Sequence, residues 1–313
     1  MSRWPPPPTL TPTFFKGHGL GNDYLVFEEG EGWAATPANV RRVCDRHRGV
    51  GADGIVALLR GRGHGDRPDR LDVGLRMFNP DGGEFERSGN GLRILACYLA
   101  SRDPNVKLVD ASVGGDTVRM MVHGRSGPQH DVSVEMGRAV VGAPAIGLDA
   151  AALDGAGRIA GPGGERLEVV AVSVGNPHIV VVCGEGEGGG FSEERLAVVG
   201  PYLTSHAAIR DGANVQLARP AGGRSCDALI WERGVGRTAA SGTSSCAIAV
   251  ALVASGRYAP GALSIAMPGG TLDVTVSEDL DVVLRGPVEE VMDGSLRASL
   301  LTTLAEARFG RAP

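Results

Sequence analysis

Short apolar runs broken by Gly, Asp and Asn fill the chain from Phe14 onward. This pattern is typical of a fold with many short β-strands and few helices. Two polar, glycine-rich stretches, 60–72 and 184–190, are predicted to be hairpin loops. The apolar runs predict strands at 25–27, 73–78, 132–136, 167–174, 178–182, 228–231, 264–267, 272–276 and 282–284.

Helices are predicted at only three places. Residues 37–46 follow Thr36, which is a common N-cap residue type, and they begin with proline, which suits the first helical position. Residues 92–101 and 245–255 are apolar, and each stretch begins just after a loop that contains glycine. The two apolar helices therefore start at similar loop-to-helix junctions.

These two junctions share a sequence pattern. Ser88-Gly89-Asn90-Gly91 and Ser241-Gly242-Thr243-Ser244 both read as serine, glycine, a polar residue and a small residue before a buried helix. This pattern has two possible origins. One is chance similarity of two alanine-rich helices. The second is a pair of similar domains that face each other across a cleft, each contributing one serine-glycine loop. The expected division is a proline-rich N-terminal arm (1–13), a first domain (14–138 with 286–313) and a second domain (139–285).

Composition narrows the classes of protein. Glycine is unusually frequent, with 48 of 313 residues, and a hydrophobic content of 42% excludes a disordered chain. The net charge of −5 gives no reason to expect nucleic acid as a partner, and no apolar run is long enough to span a membrane. Five scattered cysteines predict neither a disulfide framework nor a zinc site, and they favour a reducing compartment.

Other motifs exclude further classes. The first 13 residues lack the apolar core of a signal peptide, and their four consecutive prolines favour an extended polyproline arm, with a loosely ordered tail as the alternative. Neither Ser88 nor Ser241 stands in the G-x-S-x-G motif of serine hydrolases. Gly17-x-Gly19-x-Gly21 precedes a predicted strand, so the dinucleotide-binding context fails. The seven histidines show no metal-ligand spacing.

The paired junctions predict a site that binds a carboxylate and moves a proton at the neighbouring carbon. The first backbone N–H groups of a helix are unpaired and carry partial positive charge, so two such helix ends suit one carboxylate. A ligand held there places its α-carbon between the side chains of residues 88 and 241, which suits removal of a proton from one face and delivery to the other. Groups that hold carboxylates or ammonium groups occur nearby, although a turn or cap role is the alternative for each asparagine. These groups are Asn22, Asn79, Asn90, Asn176, Asn214, Glu232 and Arg233.

Several short motifs occur along the chain in a fixed order. They are Lys16-Gly17-His18-Gly19-Leu20-Gly21-Asn22-Asp23-Tyr24, residues 44–54 (CDRHRGVGADG), Phe78-Asn79-Pro80-Asp81-Gly82, Ser88-Gly89-Asn90-Gly91, Gly175-Asn176-Pro177-His178, residues 231–236 (WERGVG), Ser241-Gly242-Thr243, Met267-Pro268-Gly269-Gly270 and Gly286-Pro287. Taken together, these segments resemble the diaminopimelate epimerase family, and the resemblance covers roughly 14–294.

The resemblance implies an α/β fold of two pseudo-symmetric domains, each a mostly antiparallel strand barrel around a central helix. It also implies a cytoplasmic homodimer that interconverts LL- and meso-diaminopimelate in lysine and peptidoglycan biosynthesis, with neither cofactor nor metal. Site roles carried over by position are as follows: backbone N–H groups of Gly89, Asn90, Gly242 and Thr243 for the reacting carboxylate, Asn22 and Glu232 for the reacting ammonium group, Asn79, Asn176, Asn214 and Arg233 for the distal end, and His178 beside the proton-transfer pair.

The chain departs from this family at its centre. The family's two bases are cysteines, and Ser88 and Ser241 stand at those positions; a smaller departure is Ser244, where the family more often has glycine. An alcohol is a weaker acid than a thiol, so a serine base without strong activation predicts impaired epimerisation. Three possibilities stay open: engineered replacement of both cysteines, a natural relative in which His178 or Glu232 moves the proton of another amino-acid-like substrate, and a non-catalytic binding protein.

Overall fold

The computed structural model describes residues 5–61, 63, 67–85, 88–184 and 190–306. Its five α-helices are α1 (Pro37–Cys44), α2 (Gly89–Arg102), α3 (Glu193–Thr204), α4 (Gly242–Ala254) and α5 (Ala298–Glu306). Two short 3₁₀ turns span Ala143–Ile146 and Ala150–Ala152. The strands are β1 (Thr9–Gly19), β2 (Asn22–Glu29), β3 (Trp33–Ala34), β4 (Gly54–Leu59), β5 (Arg70–Phe78), β6 (Glu84–Phe85), β7 (Leu108–Val113), β8 (Asp116–Ser126), β9 (Gln129–Arg138), β10 (Val140–Val141), β11 (Arg158–Ala160), β12 (Arg166–Ser173), β13 (Pro177–Val182), β14 (Asn214–Ala221), β15 (Ser225–Glu232), β16 (Gly236–Thr238), β17 (Gly261–Met267), β18 (Gly270–Val276) and β19 (Asp281–Ser295).

The chain divides into two compact units. Unit 1 consists of Met1–Val134 and Pro287–Pro313, and unit 2 is Glu135–Gly286. The boundary therefore falls inside β9 and inside β19. The sequence analysis expected these two boundaries after Arg138 and before Gly286.

Unit 1 contains a closed eight-strand barrel. Its strands pair in the order β1, β2, β4, β5, β7, β8, β9, β19 and back to β1. The β2–β4 and β5–β7 pairs are parallel. Helix α2 contacts β1, β2, β4 and β8, and every residue from Gly89 to Ala100 is buried. Because a helix that is buried on all sides belongs to the interior, α2 is the central helix of this unit.

Unit 2 repeats this plan. Its strands pair in the order β10, β12, β13, β14, β15, β17, β18 and β19, with parallel pairing of β13 to β14 and of β15 to β17. Helix α4 contacts β12, β13, β14, β17 and β18, and its residues from Ser244 to Leu252 are buried. The predicted α/β class with strand barrels around central helices is thus confirmed.

The predicted strands and the three predicted helices are present. Helices α2 and α4 begin at Gly89 and Gly242, three residues before the predicted starts, because Ser88 and Ser241 act as their N-caps. Helices α3 and α5 were not predicted. Strand β1 begins at Thr9, inside the segment expected to be a proline-rich arm. None of the described helices combines the length and the apolar character that a membrane crossing requires.

One loop prediction was wrong. Residues 184–190 were expected to form a hairpin loop, but β13 pairs in parallel with β14, and α3 lies between them in the chain. Parallel neighbours require a crossover connection, which α3 provides. Residues 185–189 lie outside the described residues. The second predicted loop, 60–72, does join antiparallel strands, although β5 already begins at Arg70, and residues 62 and 64–66 lie outside the described part.

Candidate functional site

The serine-glycine loop of unit 1 ends in a capped helix. Ser88 is the N-cap of α2, and its Oγ accepts a hydrogen bond from the Gly91 N–H at 3.1 Å. A Cβ at Gly91 would lie 2.5 Å from the Met77 side chain, so glycine permits this close packing. Within the described residues, the N–H groups of Gly89 and Asn90 have no acceptor. These are the first two N–H groups of the helix, which no intrahelical carbonyl can reach.

The loop of unit 2 repeats this arrangement. Ser241 is the N-cap of α4, and its Oγ accepts from the Ser244 N–H at 3.5 Å. The Ser245 hydroxyl donates to the Ser241 carbonyl at 2.9 Å. The N–H groups of Gly242 and Thr243 have no acceptor among the residues that the structure describes. Each unit therefore offers two adjacent N–H groups at the positive end of a buried helix.

A chain of side-chain amides lies beside the unit 1 loop. Asn22 follows the two-residue turn between β1 and β2, in which Leu20 and Gly21 both have positive φ angles, as type I′ hairpin turns require. The Asn90 Nδ2 donates to the Asn22 Oδ1 at 2.8 Å. The guanidinium of Arg93, which is fully buried, donates to the Asn90 Oδ1 and to the Gly89 carbonyl. The amide of Asn90 is thus oriented by a buried charge.

An ion cluster supports Asn22 from its opposite side. The Asn22 Nδ2 donates to Asp53 at 3.0 Å, and Arg46 contacts both Asp53 and Asp23 at 2.7 Å. Lys16 contacts Asp23 at 2.7 Å. Burial alone would raise the pKa of the Asp23 carboxyl, but the hydrogen bonds from Arg46 and Lys16 outweigh it and lower that pKa to about 2. Asp23 is therefore ionised at neutral pH.

His178 lies at the start of β13 and is fully buried. Its Nε2 is 2.9 Å from the Asn176 Oδ1, and its Nδ1 is 3.0 Å from the Gln216 Nε2. The same Gln216 nitrogen donates to the Ser244 Oγ at 3.1 Å. Burial lowers the pKa of His178 to about 3, so its imidazole is neutral at physiological pH. A continuous set of hydrogen bonds therefore links Asn176 to the first turn of α4.

A second group in unit 2 joins Asn214 to Arg233. The Asn214 Oδ1 accepts from the Arg233 backbone N–H at 2.9 Å, and its Nδ2 donates to the Pro177 carbonyl at 3.2 Å. The exposed Arg233 guanidinium donates to the carbonyls of Asp211 and Gly212. The oxygen and the nitrogen of the Asn214 side chain are therefore both bonded to backbone, at Arg233 and at Pro177.

Two predicted site residues, Asn79 and Glu232, lie at the ends of strands. Asn79 is exposed at the end of β5, in a turn that the Gly82 N–H closes onto the Asn79 carbonyl at 2.9 Å. No hydrogen bond within the described ranges joins its side chain to the remaining predicted site residues. Glu232 is half-buried at the end of β15, where its carbonyl accepts from the Val235 N–H at 3.2 Å.

No cysteine occupies either serine position. All five cysteines are free and buried thiols. Among the described residues, one group has donor atoms close enough to hold a metal ion, namely Cys97, His130 and Glu290, whose atoms lie within 4.8 Å of one another. His130 Nε2 lies 2.7 Å from the Glu290 carboxylate, and burial raises the pKa of the Cys97 thiol to about 12. Burial therefore keeps the Cys97 thiol protonated, and His130 is already paired with Glu290.

Sequence reasoning missed the residues that orient the site. Arg93, Gln216, Asp23 and Asp53 were given no role, although all but Gln216 lie in or beside segments that carry the family resemblance. A signal existed for Arg93, since a charged residue inside an apolar helix is almost never fully buried without partners. Gln216 gave no such signal, because polar residues are common in short strands.

The family model and the related sequences all point to the same protein family. The sequence model named diaminopimelate epimerase matches residues 14–142 and 170–291. The diaminopimelate epimerase of Desulforudis audaxviator is 37% identical over 287 residues, which cover 90% of this chain and 98% of that protein. Diaminopimelate epimerase 1 of a Nostoc species is 33% identical over 90% of this chain and 99% of its own length.

Solved structures share the fold at lower identity. A predicted epimerase from Pseudomonas aeruginosa has a TM-score of 0.62 at 20% identity, covering 91% of this chain and 98% of that one. A hydroxyproline epimerase from Agrobacterium vitis, solved with bound trans-4-hydroxy-L-proline, has a TM-score of 0.63 at 16% identity, covering 91% and 92%. These similarities extend to the fold alone.

Proposed function

Because the chain belongs to the diaminopimelate epimerase family, we propose that it is a cofactor-independent epimerase scaffold for LL- and meso-diaminopimelate, slowed by serine at both base positions. The observation that carries this proposal is the repeated capped junction. Gly89 and Asn90 in unit 1, and Gly242 and Thr243 in unit 2, have N–H groups without an acceptor among the described residues. These are the four positions that the family resemblance assigns to the reacting carboxylate.

The reacting end of the substrate would be held by charge and hydrogen bonds. Helix N-termini favour a carboxylate, and the N–H groups of α2 and α4 supply donors to its oxygens. Asn22 and Glu232 would accept from the ammonium group. The Asn22 Oδ1 accepts one hydrogen bond from Asn90, which leaves its second lone pair for the substrate. The buried Arg93 acts through Asn90 to fix this orientation.

The distal amino acid end would be bound by Asn79, Asn176, Asn214 and Arg233. Asn214 holds the Arg233 backbone, and His178 holds the Asn176 oxygen, so both contacts are oriented in advance. His178 is a positioning residue in this proposal, since both of its ring nitrogens are engaged and its pKa of about 3 keeps it neutral. Moving a proton through it would require breaking one of those hydrogen bonds.

Serine at both proposed base positions is the reason that we expect a slow reaction. Ser88 and Ser241 each use an oxygen lone pair to cap a helix, and neither has a carboxylate or imidazole among its described hydrogen-bond partners. A hydroxyl is less acidic than a thiol, and each unit of pKa costs about 1.36 kcal/mol in forming the base. Removal of the α-proton therefore faces a higher barrier than in a cysteine enzyme.

Proton exchange at the α-carbon tests this proposal. The protein would be incubated with LL-diaminopimelate in deuterated water, and meso product and α-deuterium would be followed by NMR. We expect tight binding with slow exchange, and faster exchange after Ser88→Cys and Ser241→Cys are combined. Binding without any exchange in either form would indicate a binding protein. Absence of diaminopimelate binding would overturn the substrate assignment and favour a different amino-acid-like ligand.

The proposal extends to assembly and location. We propose a cytoplasmic homodimer built from two epimerase-like domains per chain, in keeping with the family resemblance and with the five unpaired cysteines. Sedimentation equilibrium would give twice the 32.3 kDa chain mass if this is correct. A single-chain mass at micromolar concentration would contradict the homodimer.

A further inference from the structure

Unit 1 contains a cavity that the proposed function does not use. Its volume is about 440 Å³, which lies within the usual range for small-molecule sites. Its walls come from β1, from α1, from the loop between α1 and β4, from the end of β19 and the residues after it, and from the first two turns of α5. Neither the serine-glycine loop of unit 1 nor Asn22 lines it.

Three arginines line this cavity, and no carboxylate among the described residues does. Arg42 is half-buried, and Arg48 and Arg297 are exposed. None of the three guanidinium groups makes a hydrogen bond or ion pair within the described part of the chain, whereas the intervening Arg46 pairs with Asp23 and Asp53. Three like charges around one cavity repel one another, and an anion between them removes that repulsion.

Contacts with neighbouring residues explain the positions of only two of these three arginines. Arg42 lies in the last turn of α1, where the helix dipole favours a cation. The Asp45 carboxylate accepts from the backbone N–H groups of His47 and Arg48 at 2.8 Å; these hydrogen bonds lower its pKa, and the nearby charge of Arg48 adds to the effect. Neither contact explains Arg297, which directly precedes α5.

The remaining walls add hydrogen-bond donors and apolar surface. Ser299 lies in the first turn of α5, whose backbone N–H groups have no intrahelical acceptor. Phe14, Val50 and Leu300 line the cavity and belong to or pack against the unit 1 core. A ligand that fits therefore has a strongly anionic group and a compact apolar body.

We propose that this cavity is a binding site for a small organic phosphate. A phosphate presents several oxygens to the three guanidinium groups and the Ser299 hydroxyl, and arginine recognises phosphate through paired hydrogen bonds. The apolar body of the ligand lies against Phe14, Val50 and Leu300. The loop that carries Arg48 also carries Arg46 and Asp53, so the bound phosphate stiffens the segment that supports Asn22.

Calorimetric titration of the full chain with phenyl phosphate at low ionic strength tests the site. We expect one saturable site per chain, weakened at least about tenfold by Arg48→Gln or Arg297→Gln, because each removes a charge-assisted contact. Arg67→Gln is the matched control, since Arg67 is exposed in the same unit and pairs with Asp69; it should change affinity less than about twofold. Absence of saturable binding, or equal weakening by Arg67→Gln, would overturn the proposal.

Two further titrations test the apolar wall and the location of the bound phosphate. Inorganic phosphate lacks the ring and benzyl alcohol lacks the charge, so both should bind more weakly than phenyl phosphate; equal affinity of inorganic phosphate would refute the apolar wall. The serine-glycine loops also suit anions, so the titration is repeated with saturating meso-diaminopimelate. Displacement of phenyl phosphate would assign it to those loops and would overturn the proposal. No step depends on epimerisation, so the two proposals can fail separately.

Discussion

The side-chain nitrogen of Asn90 donates to the side-chain oxygen of Asn22 at 2.8 Å, although 68 positions separate them in the chain. The Asn90 oxygen accepts from buried Arg93, and the Asn22 nitrogen donates to Asp53. Arg93 at one end and Asp53 at the opposite end therefore determine which way the side-chain amides of Asn90 and Asn22 point. The orientation of Asn22 thus depends, through Asn90, on the buried Arg93 of α2.

Replacing the buried arginine tests this dependence. In Arg93→Met, Asn90 loses the donor that fixes its oxygen, so we expect meso-diaminopimelate to bind several-fold more weakly. We also expect the free energy of unfolding to fall by about 1–3 kcal/mol, because buried acceptors lose their partner. Calorimetry measures the first effect, and urea denaturation measures the second.

A matched control comes from the same helix. Arg102 is more than half exposed and pairs with Asp293 at the surface, so Arg102→Met should cost less than about 1 kcal/mol and leave binding unchanged. Unaltered affinity in Arg93→Met would mean that Asn22 keeps its orientation without the amide chain.

Exchanging both serines for cysteine should affect stability and turnover in opposite directions. Ser88 and Ser241 cap α2 and α4 through their oxygens, and a thiol is a weaker acceptor. Loss of a cap costs about 0.5–2 kcal/mol, so each exchange should lower the free energy of unfolding by an amount in or below this range. At the same time, the rate of α-deuteration of LL-diaminopimelate should rise.

Ser192 provides the control for this pair. It caps α3 in the same way, accepting from the Arg195 N–H at 3.1 Å, and no role in substrate binding is assigned to it. Ser192→Cys should therefore lower stability similarly without raising the exchange rate. A double cysteine variant that exchanges no faster than the parent chain would argue against cysteine-type chemistry on this scaffold.

The sequence pattern located nine of the nineteen strands among the described residues, because short apolar runs bounded by glycine report directly on burial. It missed the other ten, including the buried strands β4 and β14. It placed the starts of α2 and α4 three residues late, since glycine is a poor helix former and only the serine caps explain helical Gly89 and Gly242. It missed α3 for a related reason. That helix contains Gly200 and Pro201, which resemble loop residues until the Ser192 cap and its buried leucines are seen.

The family motifs drew attention to the two capped junctions and to polar residues beside them, but not to the contacts that orient those residues. The contact between Asn22 and Asn90 joins a hairpin turn to a helix, and the set His178, Gln216 and Ser244 joins two strands to a helix. Such contacts arise from tertiary packing, and neither spacing nor periodicity encodes them. The sequence shows that residues 88 and 241 are serines, whereas their capping role required coordinates.

Burial of His178 should make stability depend on pH. Its pKa in the folded chain is about 3, below the ordinary value of 6.5, so only the unfolded chain binds a proton between these values. The free energy of unfolding should therefore fall as pH is lowered through this window, by up to about 1.4 kcal/mol per pH unit from this residue. Urea denaturation at a series of pH values from neutral down into this window measures the slope.

The variant His178→Gln removes the titrating group and should flatten this slope, although it also lowers stability at neutral pH. The comparison is therefore between slopes rather than absolute stabilities. His47→Gln, which removes an exposed histidine, is the matched control. Parallel slopes for the parent and His178→Gln would show that burial does not lower the pKa of His178 in the folded chain.

Ser244 should be energetically coupled to Gln216. The Ser244 hydroxyl is fully buried and accepts from the Gln216 Nε2 at 3.1 Å, while the Gln216 Oε1 has no partner within the described residues. Ser244→Ala removes the acceptor and should lower the free energy of unfolding by about 1–3 kcal/mol, because a buried donor is left unpaired.

Gln216→Met, made in the Ser244→Ala background, should lower the free energy of unfolding by less than it does in the parent chain. A double-mutant cycle measured by urea denaturation should give a coupling of about 0.5–3 kcal/mol. Strictly additive effects would mean that Ser244 contributes nothing to holding Gln216 against His178.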